Sequence, residues 1–397
     1  MLCEKDMSNS RPKIPRNVII VAFVALASGF GQDLITPVLP IFLSLIGISH
    51  AGIGAIDGFL QGSTSIFRFV SGILSDRFKK RKLFVFAGYA LSSVARPLLA
   101  LASSFGAVAV LRTLDGIGKG TKDAPRDALI ADSSAKEVSG RVFGFHRLID
   151  TAGSVLGPLA AAGLLFWFAT SIHTYRLIFA LATIPGLIAL GLIFFGLREP
   201  VAIEKEKVKD GQPLPWKFWL FTLGTTIAML TKINDSLFLI RAHDIGISPA
   251  WIPVLFAGFT LIYALLSYPI GVLSDRWGKL PFITAGWLLL SIVEFGFAYE
   301  SNLIFALVLF AGYGLFYALT EGSGRALIAD LVDPANRGKA YAIFHTIVGL
   351  AIIAGGYGLG RIWDTWSVRT AFNISAVGSF IGFAVLATMF WTSRKQV

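Results

Sequence analysis

Charged side chains recur at helical spacing inside one mostly apolar segment of the chain, residues 106–134. Steps of three and four residues place side chains on one face of a helix. The face consists of Arg112, Asp115, Lys119, Lys122 and Arg126. Lysine and arginine on such a face can hold a carboxylate or a phosphate through charge-assisted hydrogen bonds, and a carboxylate there can gain and lose a proton. The spacing therefore predicts an ion-binding face.

Two interpretations of this charged face stay open. Its basic residues outnumber its acids even when the neighbouring Asp123 and Asp127 are included. That excess favours an anionic group, and so an anionic or zwitterionic organic solute. In the alternative, the three aspartates neutralise the basic residues as ion pairs. Selectivity would then depend on aromatic residues such as Phe238 and Tyr317.

Other apolar segments carry polar residues close together. They are Gln32 with Asp33, His146 and Arg147 with Asp150, Lys232 with Asp235, and Glu321 with Arg325. An ion at mid-bilayer costs about 2.5 to 3.5 kcal/mol, so these side chains must face protein or a watery cavity. Asp33 has no basic residue within two helical turns in sequence, which favours it as a proton carrier. The alternative for Asp33 is a polar residue hydrogen-bonded within its own helix. The alternative for the oppositely charged neighbours is that they form structural salt bridges.

The sequence favours neither an enzyme nor a metal or cofactor site. Its five histidines include no His-x-x-x-His pair, and no catalytic constellation is present. The sequence Gly118-Lys119-Gly120-Thr121 lacks the first glycine of a phosphate-binding loop, and no strand precedes it. We therefore expect no catalytic residues, no metal and no cofactor.

The composition places the chain in a lipid bilayer. Of its 397 residues, 55% are hydrophobic and 15% charged, with a mean hydropathy of +0.70, which leaves too little polar surface for a soluble globule. About 20 apolar residues cross the hydrocarbon core. Spans one to twelve are predicted at 18–46, 51–74, 83–104, 106–134, 139–169, 175–197, 215–240, 250–273, 281–300, 303–331, 337–362 and 368–393.

Basic residues orient these spans. The predicted segments on the side of the two termini hold most of the lysine and arginine, and the opposite side holds only Arg176, Arg241, Arg361 and Arg369. This bias predicts cytoplasmic termini. The net charge of +11 then reflects topology and anionic lipid, and no nucleic-acid partner is expected because no basic soluble domain exists. Cys3, the single cysteine, can form no intramolecular disulfide.

Two short sequences occur twice, about half a chain apart. Gly72–Arg77 returns as Gly271–Arg276, and Ala128–Asp132 returns as Ala326–Asp330 at nearly the same shift. Duplicated membrane halves are the usual construction of secondary transporters. The predicted all-α organisation is an N-terminal six-helix bundle at 1–197, a cytoplasmic linker at 198–215 and a C-terminal six-helix bundle at 216–397.

The repeated sequence Gly-x-Leu-Ser-Asp-Arg resembles the loop signature between spans two and three of the major facilitator superfamily, and the resemblance covers essentially the whole chain. The first copy carries Lys79 where the family usually has glycine, whereas the second keeps Gly278. The resemblance implies twelve transmembrane helices in two six-helix bundles, with a cytoplasmic latch. The latch residues are Gly72, Asp76, Arg77, Gly271, Asp275 and Arg276. The alternative for the basic residues of this loop is a plain orientation signal.

Span five carries a glycine pattern that resembles the antiporter signature of the same superfamily. It consists of Gly144, Gly153, Gly157 and Pro158, with Ala161 and Ala162 in place of the closing glycines. In span four, Arg112-Thr-Leu-Asp115-Gly is similar to the Arg-x-x-Gln-Gly pattern of proton antiporters, with Asp115 offering Arg112 a carboxylate partner. The resemblance implies proton-coupled export. The alternative for the glycines is a packing seam between helices.

In the superfamily, spans one, four, seven and ten line a central cavity, and each of them carries charge here. The resemblance assigns the substrate cavity to Gln32, Asp33, Lys119, Lys122, Asp123, Arg126, Lys232, Asp235, Glu321 and Arg325. Proton coupling is assigned to Asp33, Arg112, Asp115 and Asp150. Together they predict a secondary active transporter that moves a small organic, anionic or zwitterionic solute by alternating access, in exchange for protons.

The expected partners are a small-molecule solute, protons and membrane lipid. We expect a monomeric, multi-pass protein of a bacterial inner membrane. The alternative function is a symporter or facilitator that imports an organic anion or a metal chelate, which the incomplete glycine pattern leaves open. A receptor or scaffold is disfavoured because the sequence offers no soluble domain for signalling.

Overall fold

The computed structural model describes residues 14–133, 139–199, 213–333 and 336–394. Its helices are α1 (Arg16–Ile35), α2 (Leu39–Leu45), α3 (His50–Phe78), α4 (Arg81–Leu98), α5 (Phe105–Asp132), α6 (Ser139–Phe168), α7 (Ile172–Leu181), α8 (Thr183–Gly191), α9 (Trp216–Thr231), α10 (Asp235–Asp244), α11 (Ile252–Trp277), α12 (Lys279–Tyr299), α13 (Leu303–Leu331), α14 (Arg337–Thr365) and α15 (Val368–Arg394). Cys3 and most of the predicted linker, residues 200–212, lie outside the described residues.

These helices form twelve transmembrane helices in two bundles, which confirms the predicted fold. Within the described ranges, nine helical segments are long and apolar enough to cross a bilayer. The helices α3 and α5 and the pair α9 and α10 complete the twelve. Many of the most exposed side chains are large and apolar, including Trp167, Phe195 and Tyr268 at 80 to 84% exposure. They form the surface that lipid tails cover.

The sequence predicts continuous spans, but the structure breaks three of them. Span one divides between α1 and α2 around Pro37, and span six divides at Ala182. Proline explains the first break because it lacks the N–H that a helix interior requires. Span seven breaks without a proline: Lys232 is extended, with a ψ of 126°, and the Asn234 side chain accepts a hydrogen bond from Leu237 N to begin α10. No sequence pattern marked this third break.

Glycine lets the helices of the first half approach one another closely. A Cβ atom on Gly153 would lie 2.3 Å from the carbonyl oxygen of Leu26, and one on Gly157 would lie 2.5 Å from that of Phe30. These contacts pack α6 directly onto α1. A Cβ atom on Gly144 would meet nothing within 4 Å, so two of the three glycines of the pattern serve this seam.

The turns after α3 and α11 each contain a residue with a positive φ. Lys79 has a φ of +52° and Gly278 a φ of +88°. A left-handed conformation costs a residue with a Cβ atom about 1 to 2 kcal/mol, and glycine avoids that cost. The two turns differ in ψ, which is 30° at Lys79 and 149° at Gly278, so only the first is left-handed helical and only Lys79 bears this cost.

Candidate substrate cavity and the charged networks around it

A cavity of about 280 Å³ lies between the two halves. It is lined by α3 and α5 of the first half and by α9, α12, α13 and α14 of the second. The charged side chains on its wall are Arg68, Lys119, Glu321 and Arg325. Gln32 and Asp33 of span one are not among the described residues that line it. Of the four spans that the family resemblance assigns to the cavity, spans four, seven and ten therefore contribute to its wall, together with spans two, nine and eleven. Span one does not line it in the described part of the chain.

Aromatic rings form one wall of this cavity. The rings of Phe221 and Phe344 stack with centroids 5.5 Å apart and planes 6° apart. Phe316 contacts both Trp287, at 5.3 Å, and Tyr317, at 5.2 Å. Such a wall suits the carbon skeleton of a solute rather than a hydrated ion.

Two of the three cations on the wall already have carboxylate partners. Arg68 Nη2 lies 2.5 Å from Asp123 Oδ2, and Arg325 is paired with Glu321. Lys119 makes no hydrogen bond and has no carboxylate within 4 Å in the ranges that the structure describes. Its charge acts instead on the more distant carboxylates of Asp33 and Asp57. Lys119 is therefore the cation available to a bound anion.

A buried ionic cluster fills the centre of the first half. Asp115 accepts hydrogen bonds from Arg96 Nε at 3.0 Å and from Arg112 Nη1 at 3.1 Å. Arg96 Nη1 also donates to the Ser28 carbonyl oxygen at 3.1 Å, and Arg96 Nη2 donates to Gln32 Oε1 at 3.2 Å. All three ions are 2 to 3% exposed. The cluster ties spans one, three and four together.

Replacing Asp115 with asparagine is expected to lower the free energy of unfolding by about 3 to 5 kcal/mol, because two buried guanidinium groups lose their carboxylate. Unfolding in detergent with increasing SDS, followed by tryptophan fluorescence, measures the change. Asp127→Asn is the control, since that side chain is 55% exposed and its surface pair is worth about 1 kcal/mol or less. Equal midpoints for the two variants would contradict the structural importance of the cluster.

Lys122, on the same predicted face, points into the first half rather than into the cavity. It is 5% exposed, its Nζ donates to Ser28 Oγ at 3.2 Å, and it lies 4.0 Å from the centroid of the Tyr89 ring. Neighbouring helices thus separate the charges of span four. Lys119 reaches the cavity, while Arg112, Asp115 and Lys122 lie inside the bundle.

Asp33 is also buried in the first half, at 7% exposure. Gln32 Nε2 donates to its Oδ1 at 3.4 Å. The charges of Lys119 and Arg96 act on it. Asp33 therefore lies between the ionic cluster and the cavity lysine.

A second network surrounds the break in span seven. Lys232 Nζ lies 3.3 Å from Asp235 Oδ1 and donates to the Tyr313 hydroxyl at 2.6 Å. Asp235 accepts from the hydroxyls of Tyr313 and, at 2.8 Å, Tyr317. The charge of Asp235 also acts on Asp57 of α3, in the other half. The break thus brings span-seven charges to the aromatic wall.

The remaining predicted site residues line the path toward the linker side, where α3 ends and the linker begins. A cleft of about 470 Å³ there is lined by Asp123, Arg126 and Arg325, among others. Arg126 pairs with Asp127 at 3.0 Å and lies 3.6 Å from Asp123. These charges lie at the approach to the cavity rather than at its centre.

Span five also contributes charge on this side. Arg147 Nη1 lies 3.8 Å from Asp150 Oδ2, and its Nη2 donates to the Tyr263 hydroxyl of the other half at 2.7 Å. That hydroxyl in turn donates to Glu321 at 2.5 Å. Side-chain contacts thus bridge the two halves on the linker side.

On the opposite side the two halves meet through backbone. A Cβ atom on Gly54 of α3 would lie 2.0 Å from the Gly356 carbonyl oxygen of α14. Nearer the surface, His50 Nδ1 lies 2.7 Å from Asp364 Oδ1, and its ring stacks on Trp363 with centroids 4.7 Å apart. The cavity is closed on this side, and its cleft faces the linker side.

The two repeated sequences meet in space in each half. In the first half, Arg81 pairs with Asp76 at 3.1 Å and with Asp132 at 2.7 Å. In the second half, Lys279 lies 3.6 Å from Asp275 and 2.7 Å from Asp330. Each basic residue begins a helix and bridges the aspartates of both repeats.

The other latch residues lie in the same two regions. Gly72 lies beside α5, where an added Cβ atom would be 3.4 Å from Ala124 Cβ, and Gly271 has nothing within 4 Å of that position. Arg77 and Arg276 are exposed. The described latch contacts therefore stay within each half.

Sequence analysis missed two charged residues that the structure places in these networks, Arg68 in span two and Arg96 in span three. It also missed Glu294 of span nine, which is buried against Ser375 and Ser379 of α15. Each was visible as a charge inside an apolar segment. They were overlooked because attention went to the four spans that the family resemblance assigns to the cavity.

Comparison with known proteins identifies relatives along the whole chain. The model of the Major Facilitator Superfamily matches residues 21–238 and 220–397. An MFS-type transporter of Methanocaldococcus jannaschii is 31% identical over 391 residues, which cover 96% of this chain and 97% of the relative. The multidrug resistance protein MdtH of Photorhabdus laumondii is 27% identical, over 85% of this chain and 82% of its own. Among solved structures, a variant of the nucleoside transporter NupG has a TM-score of 0.80 at 14% identity, over 94% of this chain and 99% of its own.

Proposed function

The chain belongs to the major facilitator superfamily, and from that membership we propose that it moves a small organic anion or zwitterion across the membrane by proton-coupled antiport. The family makes it a multi-pass membrane transporter. Substrate, coupling and direction are our proposals. We further propose that it acts as a monomer in a bacterial inner membrane, with both termini in the cytoplasm.

One observation carries the substrate proposal: Lys119 is without a partner among the described residues, in a cavity walled by aromatic rings. An unpaired ammonium in a partly apolar cavity favours a carboxylate or phosphate on the ligand. The stacked rings of Phe221 and Phe344 favour a flat or apolar carbon skeleton. A small organic acid with an apolar body offers both an anionic group for Lys119 and a carbon skeleton for the rings, whereas a lipophilic cation would be repelled by the lysine.

Replacing Lys119 with glutamine is expected to weaken binding of such an acid by about 1.5 to 3 kcal/mol, or roughly 10- to 150-fold in KM. Lys119→Arg keeps the charge and should lose much less. Uptake kinetics in proteoliposomes measure both variants. A KM unchanged in the glutamine variant would remove Lys119 from the substrate site.

The proposed state of this structure is inward-facing. Backbone contact between Gly54 and Gly356 seals one side, and the linker side has a cleft lined by charged residues. The linker and termini are the segments that the basic-residue bias assigns to the cytoplasm. Alternating access would require the α3 and α14 contact to open while the linker side closes.

For proton coupling we propose Asp33 as the carrier, with Arg112, Asp115 and Asp150 as its charged surroundings. Asp115 is held by two arginines, Arg96 and Arg112, and is thereby kept as a fixed countercharge. Asp33 has no basic group within 4 Å in the described ranges, and the charge of the cavity lysine acts on it. A substrate anion that engages Lys119 would therefore change the field at Asp33, which links the two binding events.

The glycine seam in α6 and the relation to a multidrug resistance protein support export as the direction. The test uses liposomes that contain the purified protein and an internal pH dye, without an imposed gradient. Benzoate, zwitterionic amino acids and cationic dyes are added outside in turn. Relative to protein-free liposomes, which account for passive entry of benzoic acid, alkalinisation of the lumen on addition of benzoate supports antiport of an anion. Acidification beyond that of protein-free liposomes would indicate symport and overturn the proposed direction. A response to the cationic dyes alone would overturn the substrate class.

A further inference from the structure

The break in span seven is held by three successive residues, each with a different anchor. Lys232 donates to the hydroxyl of Tyr313, next to Tyr317 of the aromatic wall. The amide of Ile233 donates to Ser375 Oγ at 2.9 Å. Asn234 Nδ2 donates to the Gly54 carbonyl oxygen at 3.0 Å, across the boundary between the halves. The break therefore connects the cavity wall, the interior of the second half and the closed side.

Ser375, the middle anchor, also donates a hydrogen bond to a buried carboxylate outside the cavity, that of Glu294. Glu294 of α12 is 0% exposed, as are Ser375 and Ser379 of α15. Its two oxygens accept from the two serine hydroxyls, at 2.5 Å from Ser375 and 2.6 Å from Ser379. No lysine, arginine or histidine lies within 4 Å of it in the parts of the chain that the structure describes. A buried carboxyl group costs stability unless its hydrogen bonds are satisfied, and here both oxygens are satisfied by hydroxyls.

The direction of these hydrogen bonds explains why Glu294 matters to the break. A serine hydroxyl has one hydrogen to donate and lone pairs to accept. Because Ser375 gives its hydrogen to Glu294, its lone pairs are free for the amide of Ile233. That amide needs an acceptor because Lys232 is extended, which takes it out of the helical ladder. Without Glu294, the Ser375 hydroxyl is free to rotate toward another acceptor.

We propose that Glu294 is a positioning residue for transport: through Ser375 it holds the break in span seven, and so places Lys232 beside Tyr317 of the cavity wall and Asn234 against Gly54. The proposal rests on the proposed transport function only in that the cavity between the halves is the transport site. The acceptor oxygen, rather than a charge, is what the break requires.

The test compares Glu294→Leu, Glu294→Gln, Ser375→Ala and Ser379→Ala. Glutamine keeps an oxygen acceptor for Ser375, and Ser379→Ala removes a bond to Glu294 without touching the break. Hydrogen exchange measured by mass spectrometry on peptides that span Ile233 reports the middle anchor. Spin labels on Ser44→Cys and Thr365→Cys, in a Cys3→Ser background, report the distance between the halves on the closed side.

We expect Glu294→Leu and Ser375→Ala to speed exchange at Ile233 by about tenfold or more, which corresponds to about 1.4 kcal/mol of lost protection. Both should also add a longer distance between the labels. Glu294→Gln and Ser379→Ala should stay close to the parent protein in both measurements. Unchanged exchange and distances in the leucine and alanine variants would overturn the proposal, as would a glutamine variant that behaves like leucine. Neither measurement uses a substrate or a proton gradient, so failure here is distinct from failure of the transport proposal.

Discussion

Replacing Gly356 with leucine is expected to abolish transport and to hold the two halves apart on the side that is closed in this structure. A Cβ atom at this position would lie 2.4 Å from the Gly54 carbonyl oxygen. The obstacle is backbone, which cannot rotate away as a side chain could, and packed interfaces have few intermediate positions. The helices α3 and α14 would have to separate, so the closed state is lost.

The spin-label pair on Ser44→Cys and Thr365→Cys measures this directly as a longer distance, and benzoate uptake in liposomes measures the loss of transport. Gly358→Leu is the matched control, because it lies on the same helix with nothing within 4 Å of its added Cβ atom. A parent-like distance and full uptake in Gly356→Leu would show that this backbone contact is not needed for closure.

Replacing Asp33 with asparagine is expected to eliminate proton-driven transport while leaving the fold intact. The amide cannot take up or release a proton, yet it has nearly the same size and keeps an oxygen acceptor for Gln32. In the variant, a pH gradient should no longer drive benzoate accumulation beyond that seen in protein-free liposomes. The rate of pH-driven uptake in liposomes is the measurement.

Exchange of labelled for unlabelled benzoate without a gradient provides the control for Asp33→Asn. Exchange needs the substrate site and the conformational change but no net proton movement, so it should persist. Undiminished pH-driven uptake would remove Asp33 from the coupling mechanism and turn attention to Asp57, on which the charges of Asp235 and Lys232 act.

Much of the fold could be predicted because it depends on local properties of the sequence. Apolar segments long enough to cross a bilayer gave the twelve spans, and the repeated Gly-x-Leu-Ser-Asp-Arg gave the two halves. The break in span seven could not be predicted in this way. The Ile233 amide, which the break frees from the helical ladder, donates instead to Ser375. That partner is distant in sequence and comes within reach only once α15 packs beside α9.

In the candidate site, too, the sequence predicted the positions of charges along a helix but not the contacts that they make. Helical periodicity placed Arg112, Lys119 and Lys122 on one face, as the sequence requires. Their surroundings differ because side chains of spans one and three contact that face at different positions along it. Arg96 takes up Asp115, Ser28 and Tyr89 take up Lys122, and only Lys119 reaches the cavity.

The sequence by itself determined that this protein spans a membrane as two related six-helix halves and that ions lie within its spans, because hydropathy, spacing and repetition are properties of the chain. Tertiary structure alone decided which ions are paired and which cation in the cavity is available to a bound anion. It also placed Glu294, which does not line the cavity, against Ser375 at the break in span seven. Ion pairing in a bilayer depends on the rotation and separation of helices distant in sequence, and a single helical period does not encode those.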